Sequence, residues 1–211
     1  MGLLTRKKKV FCIGFNKTGT TTLNNVLAGL GYKMGDQAKA ELLMKEWSQR
    51  KFNNIIKFVK SADAFQDIPF SLPFSYIALD QAFPNSRFIL TLRESEEDWY
   101  RSIVRFHSKK WAKGKEMPSR QDLENAAYRY VGFANEYNQE VFSTPDERPY
   151  DKESLVQAYR RHNQNVLEYF KNRHEDLLVL NLSKEENMNR LEVFLGRPAR
   201  NSRYPKLNAS I

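Results

Sequence analysis

The sequence predicts an α/β fold, with a central parallel sheet flanked by helices in three layers, and three observations carry that expectation. Four short apolar runs, at 10–14, 64–66, 87–92 and 177–182, have the length and continuous hydrophobicity of strands buried on both faces. The stretches between them show helical spacing, the alternation that parallel crossover connections need. At 211 residues the chain suits a single domain and is long enough to bury a core without disulfide staples.

The first run ends in Gly14, and after a loop the residues 20–30 bring Leu23, Val26, Leu27 and Leu30 onto one helical face, with Gly29 and Gly31 closing it. Helices are expected at 38–50 and 52–60, with Leu42, Leu43 and Trp47 in the core. Asp67-Ile68-Pro69 stops the second strand, and a helix at 73–83 opens with proline. The third strand runs straight into Arg93. A helix at 96–106 follows, with acidic residues in its first turn to complement the helix dipole. Residues 108–120 read as a polar, basic loop, 121–141 and 153–173 as two long amphipathic helices, and 185–195 as a last helix ended by Gly196 and Pro198. Gly14, Asp67 and Arg93 each stand where a strand ends, which is where parallel sheets bind ligands.

A net charge of +9 favours an anionic partner, whether nucleic acid, anionic lipid or a small polyanion. No apolar run approaches the ~18–20 residues that span a bilayer. The single cysteine, Cys12, lies in an apolar run and excludes an intramolecular disulfide. These features fit a soluble, cytoplasmic protein without a membrane partner. The lysines are scattered and no nucleic-acid recognition motif appears, so a non-catalytic basic nucleic-acid module is a weaker reading.

The stretch Gly14-Phe15-Asn16-Lys17-Thr18-Gly19-Thr20-Thr21-Thr22 joins a strand to a helix and has the character of an anion cradle. Glycines let the backbone turn, N–H groups at the helix start point at phosphate, and the threonine hydroxyls add donors. A nucleotide-hydrolysing loop places lysine directly after the second glycine and uses a hydroxyl for magnesium. Here Thr20 holds that place, Lys17 comes two residues before Gly19, and the third strand ends in Arg93 instead of a magnesium-holding aspartate. A magnesium-dependent kinase is therefore disfavoured. No Cys, His or Asp cluster has metal-ligand spacing, and no metal is expected.

Lys17-Thr18-Gly19-Thr20-Thr21 resembles the 5'-phosphosulfate loop of sulfotransferases that use 3'-phosphoadenosine 5'-phosphosulfate (PAPS). The strand ending in Arg93, followed by Trp99-Tyr100-Arg101-Ser102, is similar to their 3'-phosphate motif. Phe194-Leu195-Gly196-Arg197-Pro198, with Tyr204, Pro205 and Asn208, is similar to the C-terminal segment of a small bacterial-type branch. The resemblance implies a P-loop-type fold and transfer of a sulfuryl group from PAPS to a hydroxyl or amine, leaving adenosine 3',5'-bisphosphate (PAP). It implies that Asn16, Lys17, Thr18, Gly19, Thr20, Thr21 and Thr22 hold the 5' side of the donor, with Lys17 also catalytic. Arg93 and Ser102 would hold the 3'-phosphate; Ser102 lies one residue beyond the usual spacing, which leaves Ser95 as the alternative. The position of the family's general base falls on Asp67, with His107 second. The acceptor, a small molecule or carbohydrate, is expected among Phe65, Phe70, Phe74, Trp99, Phe106 and Trp111, under a helical lid formed by 108–150. Lys109, Lys110, Lys113 and Lys115 stand near it to meet an acidic group.

Overall fold

A computed structural model of the chain describes residues 8–182 and 186–197. The order is β1 (Val10–Cys12), α1 (Thr20–Gly29), α2 (Gln37–Glu41), α3 (Met44–Ser48), α4 (Asn53–Val59), β2 (Ala64–Phe65), α5 (Ser75–Ala82) and β3 (Arg87–Thr91). Then follow α6 (Glu96–Trp111), α7 (Arg120–Glu124), α8 (Phe133–Phe142), α9 (Lys152–Tyr169), β4 (Leu177–Leu180) and α10 (Glu186–Phe194). The strands pair in the order β2-β1-β3-β4, all parallel, so the predicted α/β architecture holds.

The two-residue side-chain alternation of the strands divides the core. Val10, Cys12 and Ile89 point to one face, with Leu23, Val26 and Leu27 of α1 and Leu191 of α10. Phe11, Ile13, Phe88 and Leu90 point to the other, where α2 to α9 pack a larger, aromatic-rich cluster. Three layers result. The chain leaves β1 toward β2 on one side and later returns to β3 on the other. The carboxyl ends of β1 and β3 therefore form the crevice at which such sheets take ligands.

Several expected elements differ. The helix expected at 38–50 is two, because the Leu43 N–H closes a tight turn on the Ala40 carbonyl at 2.9 Å, leaving Leu42 half exposed and Glu41 buried. The helix expected to end at Phe106 continues to Trp111, taking up part of the expected basic loop. Its buried stripe, Trp99, Ile103, His107 and Trp111, recurs every four residues through the basic stretch. The long helix expected at 121–141 is interrupted: α7 starts at the Ser119–Asp122 capping box, and α8 starts after Gly132, whose φ of 90° a helix interior does not allow. The C-terminal likeness at Pro198, Tyr204, Pro205 and Asn208 lies outside the described residues.

Gly14 is needed for a reason other than turning. A Cβ there would stand 2.4 Å from the Thr91 carbonyl oxygen, so the loop leaves β1 pressed against the end of β3. Gly14→Ala is expected to cost about 2–3 kcal/mol of overpacking and to lower the melting temperature by several degrees. Gly29→Ala, with nothing within 4 Å, is the control and should leave it unchanged or raised. Thermal unfolding of the two variants beside the parent checks this.

Candidate active site

The chain turns out of β1 through Lys17 and Gly19, both left-handed at φ 73° and 101°. The N-terminus of α1 has no capping side chain and no acidic residue in its first turn. The first bond of the helix runs from the Leu23 N–H to the Gly19 carbonyl at 3.1 Å, and the N–H groups of the first turn point out of the helix end.

Four side chains grip the loop from beneath. The Arg93 Nε–H donates to the Lys17 carbonyl at 2.5 Å, and the Trp99 Nε1–H to the Asn16 carbonyl at 3.0 Å. His162 Nε2–H donates to the Ile13 carbonyl at 2.7 Å, with its ring stacked on Phe15. The Thr18 hydroxyl donates to the Phe15 carbonyl and shares a 2.6 Å bond with the Thr91 hydroxyl. That hydroxyl, expected to add a donor for an anion, is instead turned into the core and spent there. Thr20 is buried, Thr21 is exposed, and Gly19 and Thr22 are partly buried.

Arg93 stands beside this loop. Its backbone N–H donates to the Tyr159 hydroxyl at 3.2 Å, and its Nη2 to Ser102 Oγ at 3.2 Å. Ser95 is occupied elsewhere: it caps α6, accepting from the Asp98 N–H at 3.0 Å and donating to the Asp98 carboxylate at 2.7 Å. Of the two serines, Ser102 is the one beside the guanidinium.

Lys17 reaches over the Phe106 ring, with Nζ 4.1 Å from its centre. Burial and then the neighbouring Arg93 hold this ammonium below the usual lysine value, while Asp67 opposes them. Asp67 is also left-handed, at φ 52°, and its Oδ1 is buried with no hydrogen-bond partner among the described residues. Burial pushes the Asp67 carboxyl up to about 6; Thr20 and Lys17 pull it down, and Glu41 adds to the rise. His107 is buried with Nδ1 2.9 Å from the Tyr150 hydroxyl, and burial, with Lys110 and Lys17 nearby, pushes it down to about 3. Non-glycine residues rarely adopt positive φ, and when they do they cluster at working sites. Lys17 and Asp67 both do so.

The expected acceptor aromatics divide. Phe65, Phe70 and Trp99 are core side chains, at most 1% exposed, and do not line a site. Phe74 is exposed and stacked with Arg50. Phe106 is open beside Lys17, and Trp111 packs on His107 at 4.5 Å. Among the lysines, Lys110 sits on the Tyr128 ring at 3.5 Å and Lys115 pairs with Asp122 at 2.8 Å, while Lys109 and Lys113 are exposed. Sequence reasoning missed the Glu41–Arg129 ion pair with Tyr128 at its side, and the hold of His162 on the loop and of Tyr159 on Arg93. Tyr159 and His162 stand three apart on the buried face of α9. The periodicity marked that face as inward but not as lying under the loop.

A family model described as a sulfotransferase domain matches residues 9–210. The chain belongs to the sulfotransferase family. No curated protein matches it significantly. The matched span takes in every residue of this site, so the sulfotransferase domain includes the loop, Asp67, Arg93 and the α6–α9 region above them.

The raised Asp67 value has a consequence for the stability of this sulfotransferase. The folded protein favours the acid form, so this group's contribution is fully present below pH about 4 and is lost as pH rises through about 6. Asn tolerates the left-handed backbone that Asp67 adopts. Asp67→Asn is therefore expected to melt higher than the parent at pH 8, by on the order of 2 kcal/mol, with the gap closing toward pH 4. Paired melting curves across that range decide it; a gap independent of pH would contradict the assignment.

Proposed function

We propose that this sulfotransferase moves a sulfuryl group from PAPS to a hydroxyl, or an amine, of a small-molecule or carbohydrate acceptor, with Lys17 and Asp67 as its catalytic residues. One observation carries the reading. Arg93 bonds the Lys17 carbonyl and Ser102 together, so two cations and an uncapped helix start share one crevice, and neither cation has a salt bridge among the described residues. That set fits a ligand with phosphate at both ends. When bound, the donor supplies a sulfuryl group on a phosphate leaving group.

The chain's own residues then take these roles. Lys17 and the first-turn N–H groups of Gly19–Thr22 hold the 5'-phosphate and neutralise charge at the bridging oxygen. Asn16 and Thr18 contribute their backbone to the same cradle. The planar guanidinium of Arg93, with Ser102 beside it, holds the 3'-phosphate, for which a lysine would be a poorer fit. Asp67, at about 6, is ionised at neutral pH yet basic enough to take the acceptor's proton. His107 is held neutral and bonded to Tyr150, which makes it the weaker choice. The segment 108–150 would cover the acceptor. No helix among the described residues is long and apolar enough to cross a membrane. The buried thiol of Cys12 suits a cytoplasmic setting.

In EDTA, adenosine 3',5'-bisphosphate is expected to raise the melting temperature well above the effect of ATP or of adenosine 5'-monophosphate. Arg93→Ala should erase the preference for the 3'-phosphate, a loss of about 10- to 100-fold in affinity. Equal stabilisation of the parent by ATP would remove the argument. With labelled donor, Lys17→Ala should lower turnover by about 10²–10³-fold. Asp67→Asn should lower kcat by a similar factor with little change in bisphosphate affinity; unchanged kcat would pass the base role to another group.

A further inference from the structure

Side-chain polar atoms buried without a partner are uncommon, because each costs about 1–3 kcal/mol of desolvation. Eight occur among the described residues. Those of Asn16, His162 and Asn163 belong to the loop and the helix beneath it. The other five fall on two segments. Gln66 Oε1, Asp67 Oδ1 and Ser71 Oγ belong to the turn after β2; Trp111 Nε1 and the Tyr137 hydroxyl belong to the end of α6 and to α8. Tyr137 is 3% exposed and Trp111 9%.

The two segments are linked through α2: Gln37 Nε2 donates to the Ile68 carbonyl and to Glu41 Oε1, both at 3.2 Å, the Tyr128 hydroxyl donates to Glu41 at 3.3 Å, and the Tyr128 ring lies edge-on to Trp111 at 6.3 Å. Trp111 packs on His107 at 4.5 Å and Tyr137 edge-on at 6.5 Å. Burial raises the pKa of the Tyr137 hydroxyl, and the negative charges of Asp67 and Glu41 add to the rise. Their chemistry is complementary. The turn after β2 offers acceptor oxygens on Gln66 and Asp67. The other segment offers donors, since an indole N–H can only donate and a phenol carries an O–H. A hydroxyl donates and accepts at once, so several hydroxyls on one molecule would satisfy both walls. A lone carboxylate would not, because it cannot donate to Gln66 or Asp67.

We propose that the acceptor is a polyhydroxylated molecule, a sugar or cyclitol, recognised by Tyr137 and Trp111 on one side and by Gln66 and Ser71 beside Asp67 on the other. This rests on the reading of Asp67 as the base. A simple phenol or straight-chain alcohol, with one oxygen already committed to Asp67, would leave Tyr137 and Trp111 unanswered.

The test uses labelled PAPS with two panels: methyl glycosides, hexoses and inositols against simple phenols and straight-chain alcohols. The best polyol is expected to exceed every member of the second panel in kcat/KM by about tenfold or more. Tyr137→Phe and Trp111→Phe should each lower the polyol value by about tenfold or more, with bisphosphate affinity by calorimetry unchanged. Because the Tyr137 hydroxyl has no partner among the described residues, Tyr137→Phe should not lower the acceptor-free melting temperature, as loss of a structural hydroxyl would. A phenol or alkanol as best acceptor, no transfer to any polyol, or an unchanged kcat/KM in Tyr137→Phe would each overturn the proposal. Failure of the parent to bind the bisphosphate would instead overturn the donor reading, and this proposal with it.

Discussion

Parallel pairing of β1 with β3 brings the Lys17 loop beside Arg93, and keeping two cations together where burial and then Arg93 weigh against the Lys17 charge is the constraint around which the site is arranged. The fold sustains it by fastening backbone, not by neutralising charge. Arg93 spends Nε on the Lys17 carbonyl, so the guanidinium that repels the Lys17 ammonium also holds its loop in place. Trp99 and His162 bind the carbonyls of Asn16 and Ile13, and Tyr159 takes the backbone N–H of Arg93. These anchors come from α6 and α9, which pack on one another and on the aromatic face of the sheet. A positive crevice with rigid walls loses little on reorganising around a polyanion, which is the condition for electrostatic stabilisation to be effective.

Asp67 and His107, which the sequence ranks first and second as the base, show how surroundings separate two titratable groups. Both are desolvated, yet burial moves a carboxyl up and an imidazole down. The carboxyl arrives near neutrality with an unsatisfied oxygen, while the imidazole is held neutral and tied to Tyr150. Divergent shifts of this kind separate a group suited to proton transfer from one that supports packing.

Much of the fold was legible because strands and helices announce themselves over a few residues. The four apolar runs appear as strands within one or two residues of their expected ends, and the helix of Leu23, Val26 and Leu27 lies where its spacing put it. Errors arose where composition was weighed above period. The basic residues after Phe106 read as loop, although His107 and Trp111 continued the buried stripe of Trp99 and Ile103. Gly132 carried the signal for the break between α7 and α8 and was passed over within an otherwise amphipathic stretch.

The sequence by itself determined the parallel sheet, the glycine- and threonine-rich loop after β1 and the arginine that ends β3, because each is written in contiguous residues whose spacing has few structural solutions. Only the tertiary structure decided that Ser102 and not Ser95 meets Arg93, and that the Thr18 hydroxyl faces Thr91. It also decided that the donors of Tyr137 and Trp111 are buried without a partner among the described residues. Those outcomes join residues far apart in the chain. They depend on how helices settle against the sheet, and no local pattern records that.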